Sequence, residues 1–192
     1  MQRRSLLKGM AALLPLTSVA TSLFADASQA QALGGTLPEL NQPAPDFNLG
    51  GVAPSGGGEA IETQLQLGDF AGRWLVLYFY PRDFTGGCTL EARGFQKDLA
   101  AFDAANAVVV GVSADDADSH ADFCSSEGLA FPLLSDPSGT VSRAYGSWIP
   151  PFSQRHTFLI DPTGVLRANW VAVRPSGHSA EVLVALRELQ QG

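Results

Sequence analysis

Cysteine, histidine and basic residues are all scarce in this sequence of 192 residues. It contains 2 Cys and 3 His, too few for the Cys/His cluster of a structural zinc site or for a dense disulfide scaffold. Its 12 Lys and Arg are outnumbered by 19 Asp and Glu, so the net charge is −7 and little material exists for a basic surface. The sequence therefore predicts no nucleic-acid partner, and its two cysteines can form one pair.

What remains is the composition of one packed domain. The 45% hydrophobic and 9% aromatic residues exclude disorder throughout, and the length suits one domain at the usual ~150 residues. No Gly-x-Gly-x-x-Gly follows a predicted strand, so a dinucleotide site is not indicated. Nothing in the sequence implies a flavin, haem or metal cofactor.

Residues 1–32 have the features of a secretory leader. Arg3 and Arg4 precede an apolar stretch from Met10 to Phe24, and small residues ending at Ala32 suit a signal peptidase. The adjacent arginines resemble the twin-arginine signal, which addresses proteins to a translocon that carries them already folded. We therefore expect a cleaved signal peptide of the twin-arginine type.

The length of the apolar stretch separates a leader from a membrane anchor. A run of roughly 15 residues, interrupted by polar side chains, is shorter than the ~20 that a transmembrane helix needs. We expect an exported domain at 33–192, in a periplasm or a thylakoid lumen, without stable membrane association. Because disulfides persist outside the cytoplasm, either cysteine could have a purely structural role.

Strands and helices alternate along the exported domain. The segment from Trp74 to Tyr80 is apolar on both faces, as in a strand buried between two layers, and helical spacing follows from Cys88 to Phe102. Strands are also predicted at 46–49, 62–67, 107–113, 131–134, 157–160 and 165–171, and helices at 115–127, 138–145 and 179–190. This order predicts an α/β sandwich with a mixed central sheet, helices on both faces and an N-terminal β-hairpin, compatible with a thioredoxin-like fold.

Cys88 lies where the predicted central strand leads into the first long helix. Gly86 and Gly87 form the loop before it, and the first turn of a helix presents free N–H groups and the positive end of the helix dipole. A thiolate is favoured there, and the thiolate is the form that attacks. Two alternatives are a buried Cys88 acting as a small hydrophobic residue, and a Glu91 that caps this turn.

The pattern Pro-x-x-x-Thr-x-x-Cys, formed by Pro81, Thr85 and Cys88, resembles the active-site signature of the peroxiredoxins. The flanking residues 79–83 and 89–92 are similar to the peroxiredoxin Q group, also called the bacterioferritin comigratory protein group. Similar segments occur in the same order over roughly residues 40–190. The resemblance implies a thioredoxin-like fold and a thiol peroxidase that reduces hydrogen peroxide or organic hydroperoxides through Cys88, by way of a sulfenic acid.

The resemblance also implies roles for other residues. Thr85 would hydrogen-bond the peroxide, Arg155 would steady the thiolate, and Pro81 and Gly87 would line the substrate pocket. Without the resemblance, Arg155 is a surface cation at the start of a strand. The chemistry itself requires an ionised sulfur and hydrogen-bond donors for the departing oxygen. A guanidinium with five N–H donors stabilises the first and provides the second.

Cys124 is the candidate resolving cysteine. A sulfenic acid condenses with a thiol or is oxidised further. Members of the group often have this thiol five residues after the first, where Arg93 stands here, but a subset has it in the following helix, where Cys124 lies 36 residues after Cys88. An inert residue or a static disulfide are the alternatives. If the two helices hold the Cα atoms more than ~7 Å apart, both must open locally for the bridge to form.

The resemblance further implies a thioredoxin-like reductant and a monomer. The chain departs from the group at Gly86, where proline is common, and at His156, where a small hydroxyl residue is usual. A general disulfide oxidoreductase is a second hypothesis, against which the lack of Cys-x-x-Cys argues. A third is a non-catalytic binding module with a structural disulfide.

Overall fold

The computed structural model describes residues 31–32, 34–55 and 60–192. The predicted leader, 1–32, lies outside the described residues apart from its last two. No helix within these ranges has the length and hydropathy needed to cross a membrane.

Eleven strands, four α-helices and one 3-10 helix are present in the described ranges. The strands are β1 (Gln31–Ala32), β2 (Gly35–Thr36), β3 (Asn48–Pro54), β4 (Ala60–Gln66), β5 (Trp74–Phe79), β6 (Ala107–Ser113), β7 (Leu133–Ser135), β8 (Trp148–Ile149), β9 (Phe152–Ser153), β10 (His156–Ile160) and β11 (Leu166–Trp170). The helices are α1 (Gly86–Ala104), α2 (Ala117–Glu127), α3 (Thr140–Ala144) and α4 (His178–Leu189), and the 3-10 helix is Leu67–Phe70. Every predicted strand and helix is therefore found, whereas the short pairs β1–β2 and β8–β9 were not predicted.

The largest boundary difference is in β3, which was predicted to end at Leu49 but continues to Pro54. The sequence does not predict this extension because Gly50 and Gly51 interrupt the strand pattern. Gly51 is needed there, because a Cβ on it would lie 2.2 Å from the carbonyl oxygen of Leu133 in the neighbouring strand.

Seven strands form one mixed sheet in the order β11-β10-β5-β6-β7-β3-β4. β5, β6 and β7 are parallel because α1 and α2 connect them as crossovers, and the other pairs are antiparallel. All six residues of β5 are buried, as predicted for a central strand. The N-terminal hairpin, β3–β4, extends the sheet beyond β7.

Helices cover both faces of the sheet, but unequally. Val76 and Tyr78 of β5 pack into the layer formed with α1, α2 and α4, whereas Leu75 and Leu77 pack into the layer that contains α3 and the 3-10 helix. Alternate side chains of one strand thus enter two apolar layers, which explains why β5 shows no polar face in the sequence. The predicted mixed sheet with helices on both faces is confirmed.

Strand order decides what surrounds the start of α1. β10 pairs antiparallel with β5, and His156 lies opposite Phe79. The residue before His156 is Arg155, so its side chain starts beside the carboxyl end of β5, where the chain turns into α1. Two segments that are distant in sequence therefore meet at the predicted nucleophile.

Candidate active site

Cys88 lies in the first turn of α1, as predicted. The helix begins at Gly86, with Thr85 as its extended N-cap residue, so Cys88 is the third helical residue. Cys88 is 1% exposed. It is not, however, simply a small hydrophobic residue of the core, because Nη2 of Arg155 donates a hydrogen bond to its Sγ at 3.2 Å.

Arg155 joins Cys88 to a buried carboxylate. Its Nη1 donates to Oε2 of Glu91, which lies one turn after Cys88 on α1, at 2.5 Å. Burial raises the pKa of Glu91 to about 7, and the opposing effect of the Arg155 guanidinium is smaller. Burial alone would lower the pKa of Arg155, but the negative charges of Glu91 and Cys88 raise it overall. The guanidinium is therefore held charged between two groups that accept its hydrogen bonds.

The alternative role for Glu91, capping the first turn of the helix, is wrong. α1 begins at Gly86, so Glu91 is its sixth residue and lies beyond the reach of the free N–H groups. Its carboxylate binds Arg155 instead, and its Oε1 is buried with no hydrogen-bond partner among the described residues.

The other predicted site residues lie close to Cys88 in the chain and differ in their contacts. Thr85 is exposed, and its hydroxyl donates to the carbonyl of Arg82 at 3.0 Å. Gly87 lies against Arg155: a Cβ there would be 3.1 Å from Nη2. Pro81 is the second residue after β5 and is half-buried. The structure thus brings Gly87, Cys88 and Arg155 into contact, while the Thr85 hydroxyl is bonded to its own loop.

Cys124 lies in α2 as a free, buried thiol, and Cys88 is also a free thiol. The static disulfide considered from the sequence is not formed in this structure. Both residues belong to the core layer between the sheet and α1, α2 and α4. Burial, with a smaller contribution from the negative charge of Asp83, raises the pKa of Cys124 to about 12.

A buried polar cluster beside this layer was not predicted. Asp83 Oδ1 accepts a hydrogen bond from the Tyr80 hydroxyl at 2.7 Å, and Asp83 Oδ2 accepts from the Ser119 hydroxyl at 2.8 Å. Oδ2 also lies 2.9 Å from Nδ1 of His120. The available signal was the spacing of His120 and Cys124, which places both on one face of α2.

No group of His, Cys, Asp and Glu side chains in the described ranges could hold a metal ion. The reactive groups that the structure places at the site are a sulfur at a helix start and the guanidinium beside it.

A mixed sheet with a cysteine at the start of the helix after its central strand defines a thiol-based redox protein of thioredoxin-like fold. Residues 40–169 match the AhpC/TSA family. The chain belongs to this family, within the peroxiredoxins of the Bcp and peroxiredoxin Q type, and is a thiol-dependent peroxidase. The resemblance stated from the sequence is confirmed at this level.

The sequences of relatives and the solved structures support the same family assignment. The chain is 41% identical over 157 residues to peroxiredoxin Bcp of Xanthomonas campestris, covering 77% of the chain and 94% of the relative. It is 35% identical over 161 residues to peroxiredoxin Bcp of Bacillus subtilis, a match that covers 80% of this chain and 98% of the relative. Peroxiredoxin Q of Xanthomonas campestris superposes with a TM-score of 0.66 at 38% identity, covering 74% and 90%. A cysteine-to-serine mutant of PrxQ from Xylella fastidiosa superposes with a TM-score of 0.67 at 34% identity. The match covers 84% of this chain and 98% of the PrxQ chain.

Proposed function

We propose that Cys88 is the peroxidatic cysteine and that Arg155 assists it. The observation that carries this assignment is the 3.2 Å contact of the guanidinium with a sulfur at a helix start. The Cys88 thiolate attacks one peroxide oxygen, the S–O bond forms, and the O–O bond breaks. Water or an alcohol leaves after the departing oxygen takes up a proton, and Cys88 becomes a sulfenic acid. The Arg155 donors can stabilise the charge that moves onto the departing oxygen.

Thr85, Pro81 and Gly87 form the peroxide pocket in this proposal. Because the Thr85 hydroxyl gives its hydrogen to Arg82, its oxygen is free to accept a hydrogen bond from a peroxide O–H. Hydrogen peroxide and organic hydroperoxides are the proposed substrates. A structural study of the Xanthomonas campestris bacterioferritin comigratory protein concerns its alkyl peroxide reduction activity, which supports the second class.

Cys124 is the proposed resolving cysteine. Two structures of the Xanthomonas campestris relative each carry a different cysteine replaced by serine, and the two positions are 36 residues apart, as are Cys88 and Cys124. The Cys124 thiol would displace hydroxide from the Cys88 sulfenic acid, which forms a disulfide and water. Both thiols are buried, so the first turn of α1 and the Cys124 turn of α2 would open locally to allow the bridge.

A thioredoxin-like protein is the proposed reductant. A relative from Drosophila melanogaster, 35% identical over 156 residues, is named a thioredoxin-dependent peroxide reductase. We also propose that the protein acts as a monomer and that residues 1–32 direct its export to a periplasm or a thylakoid lumen. The motif of Arg3 and Arg4 before an apolar stretch supports export. Mass spectrometry of the mature protein would test the cleavage.

Two serine variants test the cysteine assignment. Cys88→Ser should consume no peroxide with a thioredoxin system. Cys124→Ser should accumulate a sulfenic acid that reacts with dimedone, and should keep a reduced activity with a small thiol as reductant. After one equivalent of peroxide, the wild type should contain a Cys88–Cys124 disulfide by peptide mapping. A fully active Cys88→Ser protein would refute the assignment.

A further inference from the structure

The peroxide reaction does not use the cluster of Tyr80, Asp83 and His120, although all three side chains are buried. Asp83 belongs to the loop before Cys88, and His120 belongs to α2, so the cluster joins the two segments that carry the thiols. A carboxylate only accepts hydrogen bonds, and Oδ2 of Asp83 lies 2.9 Å from Nδ1 of His120. In the neutral ring Nδ1 therefore holds the hydrogen, and Nε2 holds a lone pair.

The second ring nitrogen of His120 has no task in the reduced fold. Nε2 is buried and has no hydrogen-bond partner among the described residues. Burying a polar atom in this way carries a free-energy cost, which suggests a use in another state of the protein. His120 and Cys124 are four residues apart on α2, and both are buried on the same face of the helix.

Cys124 needs a proton acceptor. Its thiol is buried, and the pKa of Cys124 is raised to about 12 by burial and by Asp83. Few molecules therefore hold a Cys124 thiolate at neutral pH, and the thiol attacks a sulfenic acid well only after losing its proton.

We propose that His120 accepts the proton of Cys124 during disulfide formation, with Asp83 as the positioning residue that orients the ring. This rests on the proposed role of Cys124 as the resolving cysteine. Nε2 takes the thiol proton, and the sulfur of Cys124 bonds to Sγ of Cys88. The S–O bond of the sulfenic acid breaks, and the departing hydroxide recovers the proton as water. The Asp83 carboxylate stabilises the transient imidazolium.

The other ionisable groups around His120 are hydrogen-bonded, ion-paired, held protonated by burial or exposed. The Tyr80 hydroxyl donates to Asp83, and Asp115 accepts from the backbone N–H of Asp83. Tyr78 of β5 is buried, and burial raises its pKa, so it stays protonated. The remaining carboxylates on α2 and beside it are exposed, except that of Glu127, which pairs with Arg93. The exposed ones belong to Glu62, Asp116, Asp118 and Asp122.

Single-turnover kinetics of the full chain separate the two steps. Reduced protein is mixed rapidly with peroxide, and the reaction is stopped by alkylation for mass spectrometry. His120→Asn keeps a donor for Asp83 but removes the proton acceptor. Sulfenic acid formation at Cys88 should then be unchanged, and disulfide formation should slow by about 100-fold at pH 7, a typical effect of removing a general base. Asp118→Asn, which removes an exposed carboxylate from the same helix, should leave both steps unchanged.

The pH profile distinguishes proton transfer from a structural role. In His120→Asn the rate of disulfide formation should follow ionisation of the Cys124 thiol itself, rising about tenfold per pH unit, and added imidazole should restore part of it. Asp83→Asn keeps the ring and should change the profile in the same direction, which gives a second test if His120→Asn does not fold. An unchanged profile, or equal slowing of both steps, would overturn the role of His120. A wild type that forms no Cys88–Cys124 disulfide would instead overturn the role of Cys124.

Discussion

Replacing Arg155 with methionine should nearly abolish peroxidase activity, because Cys88 loses the cation that contacts its sulfur. Two unit charges 3.2 Å apart attract each other by about 5 kcal/mol at an effective dielectric constant of ~20. The Arg155 side chain is 15% exposed, and screening by water and salt reduces this attraction to about 3 kcal/mol. At about 1.4 kcal/mol for each factor of ten, the rate of peroxide reduction should fall about a hundredfold.

The same substitution should also destabilise the fold, and this effect should depend on pH. Glu91 loses its counter-charge while it stays buried, and removing one member of a buried ion pair costs about 3–5 kcal/mol when the other remains charged. In acid the Glu91 carboxyl takes up a proton and the cost shrinks. Urea unfolding should therefore show a larger loss at pH 8 than at pH 5.

The double variant Arg155→Met/Glu91→Gln separates activity from stability. Without the unpaired carboxylate, the protein should recover most of the lost free energy of unfolding, but it should stay as inactive as the single variant. Arg155→Lys keeps the charge but cannot contact Cys88 and Glu91 with one planar fork, so about tenfold loss is expected. The assay is peroxide consumption with a thiol reductant. Activity of Arg155→Met within threefold of the wild type would show that the guanidinium does not support the sulfur.

Three further predictions concern the site. The pKa of Glu91 is raised from 4.5 to about 7, so its contribution to folding stability is complete below pH 4 and is lost as pH rises past 7. Urea unfolding should show the wild type losing about 3 kcal/mol relative to Glu91→Gln between these limits. A constant difference in unfolding free energy would contradict the coupling. Gly87→Ala should lower peroxidase activity about tenfold, since the new Cβ would displace the Arg155 guanidinium 3.1 Å away. Gly86→Ala, which meets nothing within 4 Å, should leave activity unchanged and raise stability by about 0.5 kcal/mol; equal activities in the two alanine variants would argue against a constraint on Arg155. Hydrogen exchange should show less protection of the first turn of α1 and of the Cys124 turn in the disulfide form than in the dithiol form, and equal protection would rule out local opening.

Local sequence patterns were enough to predict most of the fold. The apolar run of β5, the helical spacing after Cys88 and the strands on either side of Asp161-Pro162-Thr163-Gly164 each depend on residues close together in the chain. The N-cap of α2 is Asp116, a residue type that favours helix starts, and its side chain accepts from the Ser119 N–H. Hydrophobic period and capping residues are short-range signals, and they hold wherever the tertiary fold agrees with local preference.

The partners within the site could not be predicted in the same way. Arg155 lies 67 residues after Cys88, and the two meet because β10 pairs with β5 and places the start of one strand beside the end of the other. Glu91 does not cap the helix because α1 begins at Gly86, five residues before it, and the same strand pairing brings Arg155 to its carboxylate.

Local sequence was enough for the succession of strands and helices and for the position of Cys88 in the first turn of a helix, because backbone geometry and side-chain periodicity act over a few residues. Long-range strand pairing sets which charged and polar groups surround the two thiols: Arg155 with Glu91 at Cys88, and Asp83 with His120 near Cys124. The physical reason is that electrostatic and hydrogen-bond partners are chosen by distance in space, and strand order sets those distances.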